Sequence, residues 1–219
     1  MTDIFREVDE DVRRDRALQF WTKYQFVFLA IAVVVVLATA GWRGYDTWRT
    51  RMAQSASGHF ERALDLARDG NPKVALEEFD RLAAKAPAGY RVLARLRAAS
   101  ERAKTDAAAG AKAFDAIAAD SSVEATLRDL ARLRAALLLV DTADLKEIRN
   151  RLEPLAGPDG TFRATAREFL AIAALKANDG EQAGKWLDAI VVDPTSPSDV
   201  RGRAEALLGL VRETKPATG

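Results

Sequence analysis

The sequence predicts an all-α protein with a single N-terminal transmembrane helix, followed by a solenoid of about four helical hairpins and a capping helix. Three observations lead to this fold class. Residues 24–42 contain no charged side chain. After residue 50, alanine and leucine dominate and β-branched residues are sparse, which favours helices over strands. Over the same part of the chain, an apolar pattern typical of one helical face recurs.

The uncharged segment has the length of a transmembrane helix. Its 19 residues would form a helix of about 28 Å, close to the thickness of the hydrocarbon core of a bilayer. Its valines favour strands in water, but in lipid only a helix satisfies its own backbone hydrogen bonds. We therefore predict a transmembrane anchor from Tyr24 to Trp42. Aromatic side chains, which favour membrane–water interfaces, lie at both ends: Trp21, Tyr24, Trp42, Tyr45 and Trp48.

Two other interpretations of this segment compete with the transmembrane anchor. A buried core helix of this length would be unusual, and the aromatic residues at both ends argue against it. A cleaved signal peptide is the stronger alternative, because Ala38-Thr39-Ala40 resembles a signal-peptidase site. The long leader of mixed charge favours an uncleaved anchor, and cleavage after Ala40 stays open as the alternative.

The flanking charges predict the orientation of the anchor. Cytoplasmic flanks carry an excess of lysine and arginine, and long following domains cross the membrane regardless of charge. We therefore expect a cytoplasmic N-terminus and a C-terminal domain outside the cytoplasm. The basic residues before and after the segment are, respectively, Arg13, Arg14, Arg16 and Lys23, and Arg43, Arg49 and Arg51.

The chain divides into five expected regions. The leader contains Ile4, Val8 and Val12 at a spacing of four, which indicates a short amphipathic helix, with a solvated tail as the alternative. No proline interrupts the connector after the anchor, so a fairly stiff connection is expected. The regions are a charged cytoplasmic leader (1–23), the transmembrane helix (24–42), a juxtamembrane helical connector (43–55), the helical repeat domain (56–213) and a flexible tail (214–219).

The repeat pattern places apolar residues at i, i+4, i+7, i+8 and i+11. The windows begin at residues 56, 92, 123, 162 and 200, and only Ser100 and Arg134 interrupt them. Shorter apolar stripes between the windows indicate second helices. Turn signals such as Asp69-Gly70-Asn71-Pro72 separate the two helices of a hairpin. Prolines close several units, at Pro87, Pro154 and Pro194.

The first unit resembles the tetratricopeptide repeat, because Ala63, Gly70, Ala75, Phe79 and Pro87 stand close to the offsets of that family. The later units keep an aromatic residue at the position of Phe79, namely Phe114 and Trp186, and lack other characteristic residues of the repeat. The residues expected to pack the repeats are Phe60, Ala63, Ala75, Phe79, Pro87, Phe114, Phe169 and Trp186.

The whole layout is similar to the YfgM-like ancillary subunits of the bacterial Sec translocon, in their alphaproteobacterial form. The similarity covers the charged leader 5–21, the single apolar segment, Gly41-Trp42-Arg43-Gly44-Tyr45 and the degenerate repeats. It implies a single-pass inner-membrane protein whose periplasmic domain contacts the translocon and periplasmic chaperones, assisting the maturation of secreted or envelope proteins. That family contributes no catalytic residue.

The composition argues against chemistry at an active site. The net charge is +1, which does not indicate a nucleic-acid partner, and the absence of cysteine excludes thiolate metal sites. His59 is the only histidine and lies without a metal-binding motif. We therefore expect no enzyme activity, no cofactor and no metal, and the oligomeric state is left open.

Four arginines are candidates for partner binding. Arg134 shares the predicted apolar face of its helix, where it is either a polar anchor in a binding groove or a rim residue whose head reaches water. The others, Arg91, Arg95 and Arg102, form a basic stripe, for which the alternative interpretation is plain solvated surface. The favoured function is a membrane-tethered adaptor that recruits protein partners. The alternative is an envelope scaffold in cell division or wall synthesis that acts by self-assembly.

Overall fold

The computed structural model describes the backbone of residues 3–214 and the side chains of residues 21–27 and 29–211. Every regular element in the described backbone is helical, so the predicted all-α class is confirmed. The helices are α1 (Asp3–Arg68), α2 (Pro72–Lys85), α3 (Ala88–Thr105), α4 (Ala107–Ala118), α5 (Ala125–Leu139), α6 (Leu145–Leu152), α7 (Arg163–Lys176), α8 (Gly180–Val191) and α9 (Ser198–Thr214), with a 3₁₀ turn at Glu153–Leu155.

The chain separates into two compact units, residues 1–54 and residues 55–219, and α1 contributes to both. The predicted amphipathic face of the leader lies outside the described side chains, as does the predicted tail beyond Thr214. The five region boundaries expected from the sequence stay predictions.

In the first unit, α1 is long and apolar enough to cross a membrane by length and composition. No side chain described between residues 21 and 54 is buried, and Trp42 at the end of the apolar segment is 74% exposed. The Thr39 hydroxyl donates to the Val35 carbonyl at 2.7 Å, so this polar group is satisfied within its own helix. The segment thus presents apolar side chains around its whole circumference.

The second unit consists of four consecutive hairpins, with α9 after the last. The C-terminal part of α1 pairs with α2, α3 with α4, α5 with α6, and α7 with α8. Small residues allow close helix contact at equivalent places in the first, second and fourth hairpins. These buried positions are Ala63, Ala99 and Ala171; Ala75, Gly110 and Ala183; Phe79, Phe114 and Leu187; and Leu82, Ile117 and Ile190.

The structure corrects the repeat register of α5. Residues 91–99 of α3 and 128–136 of α5 share the sequence Arg-x-Leu-Ala-Arg-Leu-Arg-Ala-Ala. In both helices the two alanines that face the preceding hairpin are 0–1% exposed, namely Ala94 and Ala98 in α3, and Ala131 and Ala135 in α5. The window expected to begin at Val123 was therefore misplaced, because a helix rich in alanine and leucine fits an apolar stripe in more than one register.

Two aromatic residues lie one position away from the buried site. Trp186 and Phe169 are half-buried at the edges of apolar clusters, whereas the adjacent Leu187 and Leu170 are fully buried. In the fourth hairpin, Leu187 takes the place of Phe79, which corrects the assignment of Trp186 as its counterpart. Pro87 is half-buried and immediately precedes α3, where it occupies the N-cap position.

Replacement of Gly110 by alanine should destabilise the second unit by about 1–3 kcal/mol, because added volume strains a close-packed core. A Cβ at this position would lie 2.5 Å from the Ala103 Cβ and 2.7 Å from its Cα. The control is Gly184→Ala in α8, where a Cβ meets no atom within 4 Å; it should stabilise by about 0.5–1 kcal/mol. Urea unfolding of both variants measures the difference, and equal effects would contradict the proposed close contact.

Candidate interaction surface

The only histidine of the chain, His59, has an exposed side chain on α1. Among the described residues, no group of three histidine, cysteine, aspartate or glutamate side chains is placed to hold a metal ion. The candidate functional site is therefore a surface of the second unit.

Three of the four predicted partner-binding arginines bind groups within the protein. Arg95 donates through Nη1 to Asp120 Oδ2 at 2.6 Å and through Nη2 to the Ala116 carbonyl at 3.3 Å. Arg102 Nη2 lies 2.7 Å from both carboxylate oxygens of Asp80. The Arg91 guanidinium donates twice to the Ala86 carbonyl, at 3.3 and 3.2 Å. These side chains connect neighbouring helices.

The arrangement around Arg95 recurs in the fourth hairpin. Arg167 Nη1 donates to Asp193 Oδ2 at 3.0 Å and to the Ala189 carbonyl at 2.9 Å. In both cases the carbonyl belongs to the residue four positions before the aspartate. An arginine of the first helix thus fastens the end of the second helix, and we call this arrangement the arginine clamp.

Each clamp aspartate also accepts hydrogen bonds from the turn that follows it. The Ser122 N–H and hydroxyl donate to Asp120 Oδ1 at 3.0 and 2.6 Å. With the Ser122 hydroxyl as the largest cause and Arg95 as the next, these bonds lower the pKa of Asp120 to about 2. Asp193 is held similarly, and Arg163 followed by Thr195 keeps its pKa well below the usual range. Both carboxylates are therefore ionised at neutral pH.

A buried carboxylate fastens the last helix to the fourth hairpin. Glu168 of α7 is 5% exposed and binds the Arg203 guanidinium of α9 in a fork, with Nε–Oε1 and Nη2–Oε2 distances of 2.5 and 2.9 Å. This fork raises the pKa of Arg203 above its ordinary value, with its hydrogen bond to Glu168 as the main cause. Arg201 adds hydrogen bonds to the carbonyls of Asp193 and Ser196. These contacts join α9 to the preceding hairpin.

Few arginines of the second unit lack a hydrogen-bond partner. Residues 55–211 contain 16 arginines, and 12 of them donate hydrogen bonds to other groups within this range. The remaining four are Arg62, Arg97, Arg128 and Arg134, and Arg128 has its Nε buried. The other three side chains are exposed.

Two of these arginines, Arg97 and Arg134, occupy equivalent positions on α3 and α5, and Arg62 is exposed on α1. Each directly precedes a buried alanine: Arg62 precedes Ala63, Arg97 precedes Ala98, and Arg134 precedes Ala135. We call Arg62, Arg97 and Arg134 the arginine row. Ala98 and Ala135 both face the preceding hairpin, whereas Ala63 packs on Ala75 and Phe79 of its own hairpin. Arg97 and Arg134 therefore extend from equivalent places on α3 and α5, and Arg62 does not share that place.

Leucines accompany the second and third members of the row. Leu93, 42% exposed, and Leu130, half-buried, lie four residues before Arg97 and Arg134 and therefore on the same helical faces. On α7 the corresponding position is Phe169, which precedes the buried Leu170. The surface thus combines unpaired cations with accessible apolar side chains, as protein-binding surfaces often do.

The sequence prediction identified one member of this row. Arg134 is exposed, so the buried charge that its misplaced window implied does not exist. Arg62 and Arg97 were missed. The signal in the sequence was the Arg-Ala pair at residues 62–63, 97–98 and 134–135, but other Arg-Ala pairs, such as Arg102-Ala103, have paired arginines.

The comparisons with known proteins agree with this architecture. The profile of the family described as "Tetratricopeptide repeat-like domain" matches residues 18–183. No curated protein and no solved structure matches the chain significantly.

Replacement of Ser122 by alanine should raise the pKa of Asp120 from about 2 toward its ordinary value of 3.8. The native pKa lies below the unfolded value, so ionised Asp120 stabilises the fold above about pH 4, and this contribution is lost as the pH falls through about 2. Carboxyl-carbon NMR titration of the full chain in detergent measures the shift. Ser121→Ala is the control and should leave Asp120 unchanged. An unchanged Asp120 pKa in Ser122→Ala would refute the assigned cause.

Proposed function

Because this chain belongs to the tetratricopeptide repeat-like domain family, we propose that it is a membrane-anchored adaptor whose exposed first-helix faces bind other proteins. The observation that carries the proposal is the arginine row together with Leu93. These are charged and apolar side chains that find no hydrogen-bond or ion-pair partner within the described part of the domain. An extended surface on stacked helical repeats is suited to partner segments.

The anchor is assigned to the apolar part of α1. Its length and composition suit a bilayer, and its side chains are unburied. The basic residues before it favour a cytoplasmic N-terminus. We place the protein in the inner membrane, with residues 43–219 in the periplasm, where tethering raises the local concentration of partners near the membrane.

The partners proposed are the Sec translocon and periplasmic chaperones. The support is the order of parts (a charged leader, one apolar helix and a degenerate repeat domain), which is similar to the YfgM-like ancillary subunits. Through such contacts the protein would assist the maturation of secreted or envelope proteins. The tetratricopeptide repeat-like family is typically non-catalytic, and the proposed mechanism is recruitment without a chemical step.

A photo-reactive amino acid at position 97 or 134, in the full chain in native membranes, should crosslink to a translocon subunit or a periplasmic chaperone. Position 112 on α4 is the control, because Lys112 is exposed on a second helix away from the row. Crosslinked partners are identified by mass spectrometry. Crosslinks only between copies of this chain would instead favour the envelope scaffold, and their absence at both positions would contradict the adaptor.

A reporter that is active only after export, fused behind Gly219, should be active, because the repeat domain is expected to follow the anchor across the membrane. A cytoplasm-dependent reporter at the same site should be inactive. Carbonate extraction should leave the chain in the membrane fraction. The reverse reporter pattern would overturn the orientation, and a soluble processed product would show cleavage near Ala40.

A further inference from the structure

We propose that the exposed face of α9 binds an amphipathic helix of a protein partner, in the place that a second helix takes in a hairpin. This α9 face consists of Gly202, Ala206, Gly209 and Leu210, all of which are exposed. The inference rests on the proposed adaptor function and specifies the kind of segment that the repeat domain accepts. It follows from the register of α9, from the uncovered state of this face and from one charge beside it.

The contacts at the start of α9 repeat those at the start of α3. A proline directly precedes both helices, and its carbonyl accepts from the N–H of the arginine four residues later. The guanidinium of that arginine donates to the carbonyl of the buried residue before the proline. The donor and acceptor are Arg91 and Ala86 at 3.2 Å in α3, and Arg201 and Ser196 at 3.3 Å in α9. α9 thus begins as the first helix of a hairpin does.

The buried side of α9 follows the same register. α3 packs Ala94 and Ala98 on the preceding hairpin. α9 packs Ala204 and Leu208 on the fourth hairpin. In both helices these residues lie three and seven positions after the arginine. The other sides of α3 and α9 therefore correspond residue by residue as well.

In α3 the next apolar face holds a second helix. Val92, Leu96 and Ala99 lie in one apolar cluster with α4. The corresponding residues of α9 are the three small residues of the α9 face. A Cβ at either of its glycines would meet no atom within 4 Å, and Leu210 at its edge is 58% exposed. The α9 face is therefore a helix-binding face that no helix among the described residues covers.

The first hairpin treats its own outer side differently. Ala63 of α1 corresponds to Ala99 of α3, because each packs on the second helix of its own hairpin. Arg62 therefore corresponds to Ala98, and α1 carries an exposed arginine where α3 carries a buried alanine. Terminal units of repeat domains need a polar outer face for solubility. α1 meets this need, whereas the α9 face is small and apolar, as expected of a surface that a partner covers.

The second helices define the segment that such a face accepts. α4 and α8 carry a small residue, a large apolar residue four positions later and an isoleucine seven positions later. A second copy of α9 has only small residues at this spacing and cannot supply the stripe, so the ligand is a helix of another protein. The residues of the stripe are Gly110, Phe114 and Ile117 in α4, and Ala183, Leu187 and Ile190 in α8.

A charge beside the α9 face specifies the end of the segment. In the second hairpin, Arg95 pairs with Asp120 at 2.6 Å, three residues after the isoleucine of the stripe. Arg167 and Asp193 repeat this pairing in the fourth hairpin at 3.0 Å. The residue of α9 that corresponds to Arg95 is Glu205, whose exposed carboxylate has no partner among the described residues. Because the charge is reversed, we expect lysine or arginine in the partner at the place of the aspartate.

Synthetic peptides test the stripe. One fluorescent peptide, held helical by a lactam bridge, carries alanine, phenylalanine, isoleucine and arginine at its first, fifth, eighth and eleventh positions. In the control, the phenylalanine and a glutamine of the opposite face are exchanged. Binding to the full chain, in nanodiscs of neutral lipid, is measured by fluorescence anisotropy. The control should bind at least about tenfold more weakly, because its phenylalanine is not buried. Equal binding of both peptides would overturn the proposal.

Variants test the face. A206Q places a long polar side chain in the close helix contact and should weaken binding of the stripe peptide at least about tenfold. A84Q makes the same change at an exposed position of α2 and should leave binding unchanged. Both alanines are exposed, so thermal unfolding should be the same in the two variants. Equal binding by A206Q and the unchanged chain would contradict the proposal, and so would equal weakening by A84Q.

A charge exchange tests Glu205. E205K should weaken binding of the arginine peptide about two- to fivefold, the effect expected of an exposed ion pair. A peptide with glutamate at the eleventh position should recover that loss. If E205K and the unchanged chain bind both peptides alike, the assigned orientation of the segment is wrong.

Two further outcomes separate the alternatives. If the chain dimerises in analytical ultracentrifugation and A206Q makes it monomeric, a second copy covers the face and the partner helix is rejected. The adaptor function is judged separately. Crosslinks from positions 97 and 134 to a partner, without binding of the stripe peptide, would retain the adaptor and reject the α9 face. Binding of the peptide at α9 without any crosslinked partner would support the face and reject the adaptor.

Discussion

The close contact of neighbouring helices at small residues is the constraint on which the repeat domain depends. Ala63, Ala98 and Ala135 are almost completely buried between neighbouring helices, and Gly110 approaches the Ala103 backbone so closely that even a methyl group would clash. Such contacts determine the rotation of each helix about its own axis. The residue before Ala98 and the residue before Ala135 are thereby turned to the same side of α3 and α5, which places Arg97 and Arg134 in equivalent positions.

Arginine has two roles in this domain. At Arg95, Arg167 and Arg203 it connects elements through carboxylates and carbonyls, where its fork of donors satisfies groups at helix ends. At Arg62, Arg97 and Arg134 it is exposed and available to a partner. The two roles use the same residue type, and the acceptor groups that tertiary packing brings near distinguish them.

The proposed anchor and the proposed binding surface have complementary purposes. Exposed ion pairs are weak individually and are screened by salt, so contacts with these arginines alone would bind a partner modestly. Tethering at the membrane compensates, because a high local concentration makes weak contacts effective. Such weak binding also permits rapid release. A repeat domain on a single apolar helix is sufficient for this role, since no chemical step is required.

The sequence by itself determined the all-α class, the apolar helix and the repeat, because these follow from local patterns of hydrophobicity and charge. It did not determine the register of α5 or the choice of Leu187 over Trp186, since a helix with apolar residues on several sides fits more than one stripe. Nor could it separate paired from unpaired arginines: Arg95 and Arg97 stand two residues apart, and Arg95 alone meets a carboxylate 25 residues away, at Asp120. Tertiary structure decided these points, because pairing and burial depend on which distant side chains the helix contacts bring together.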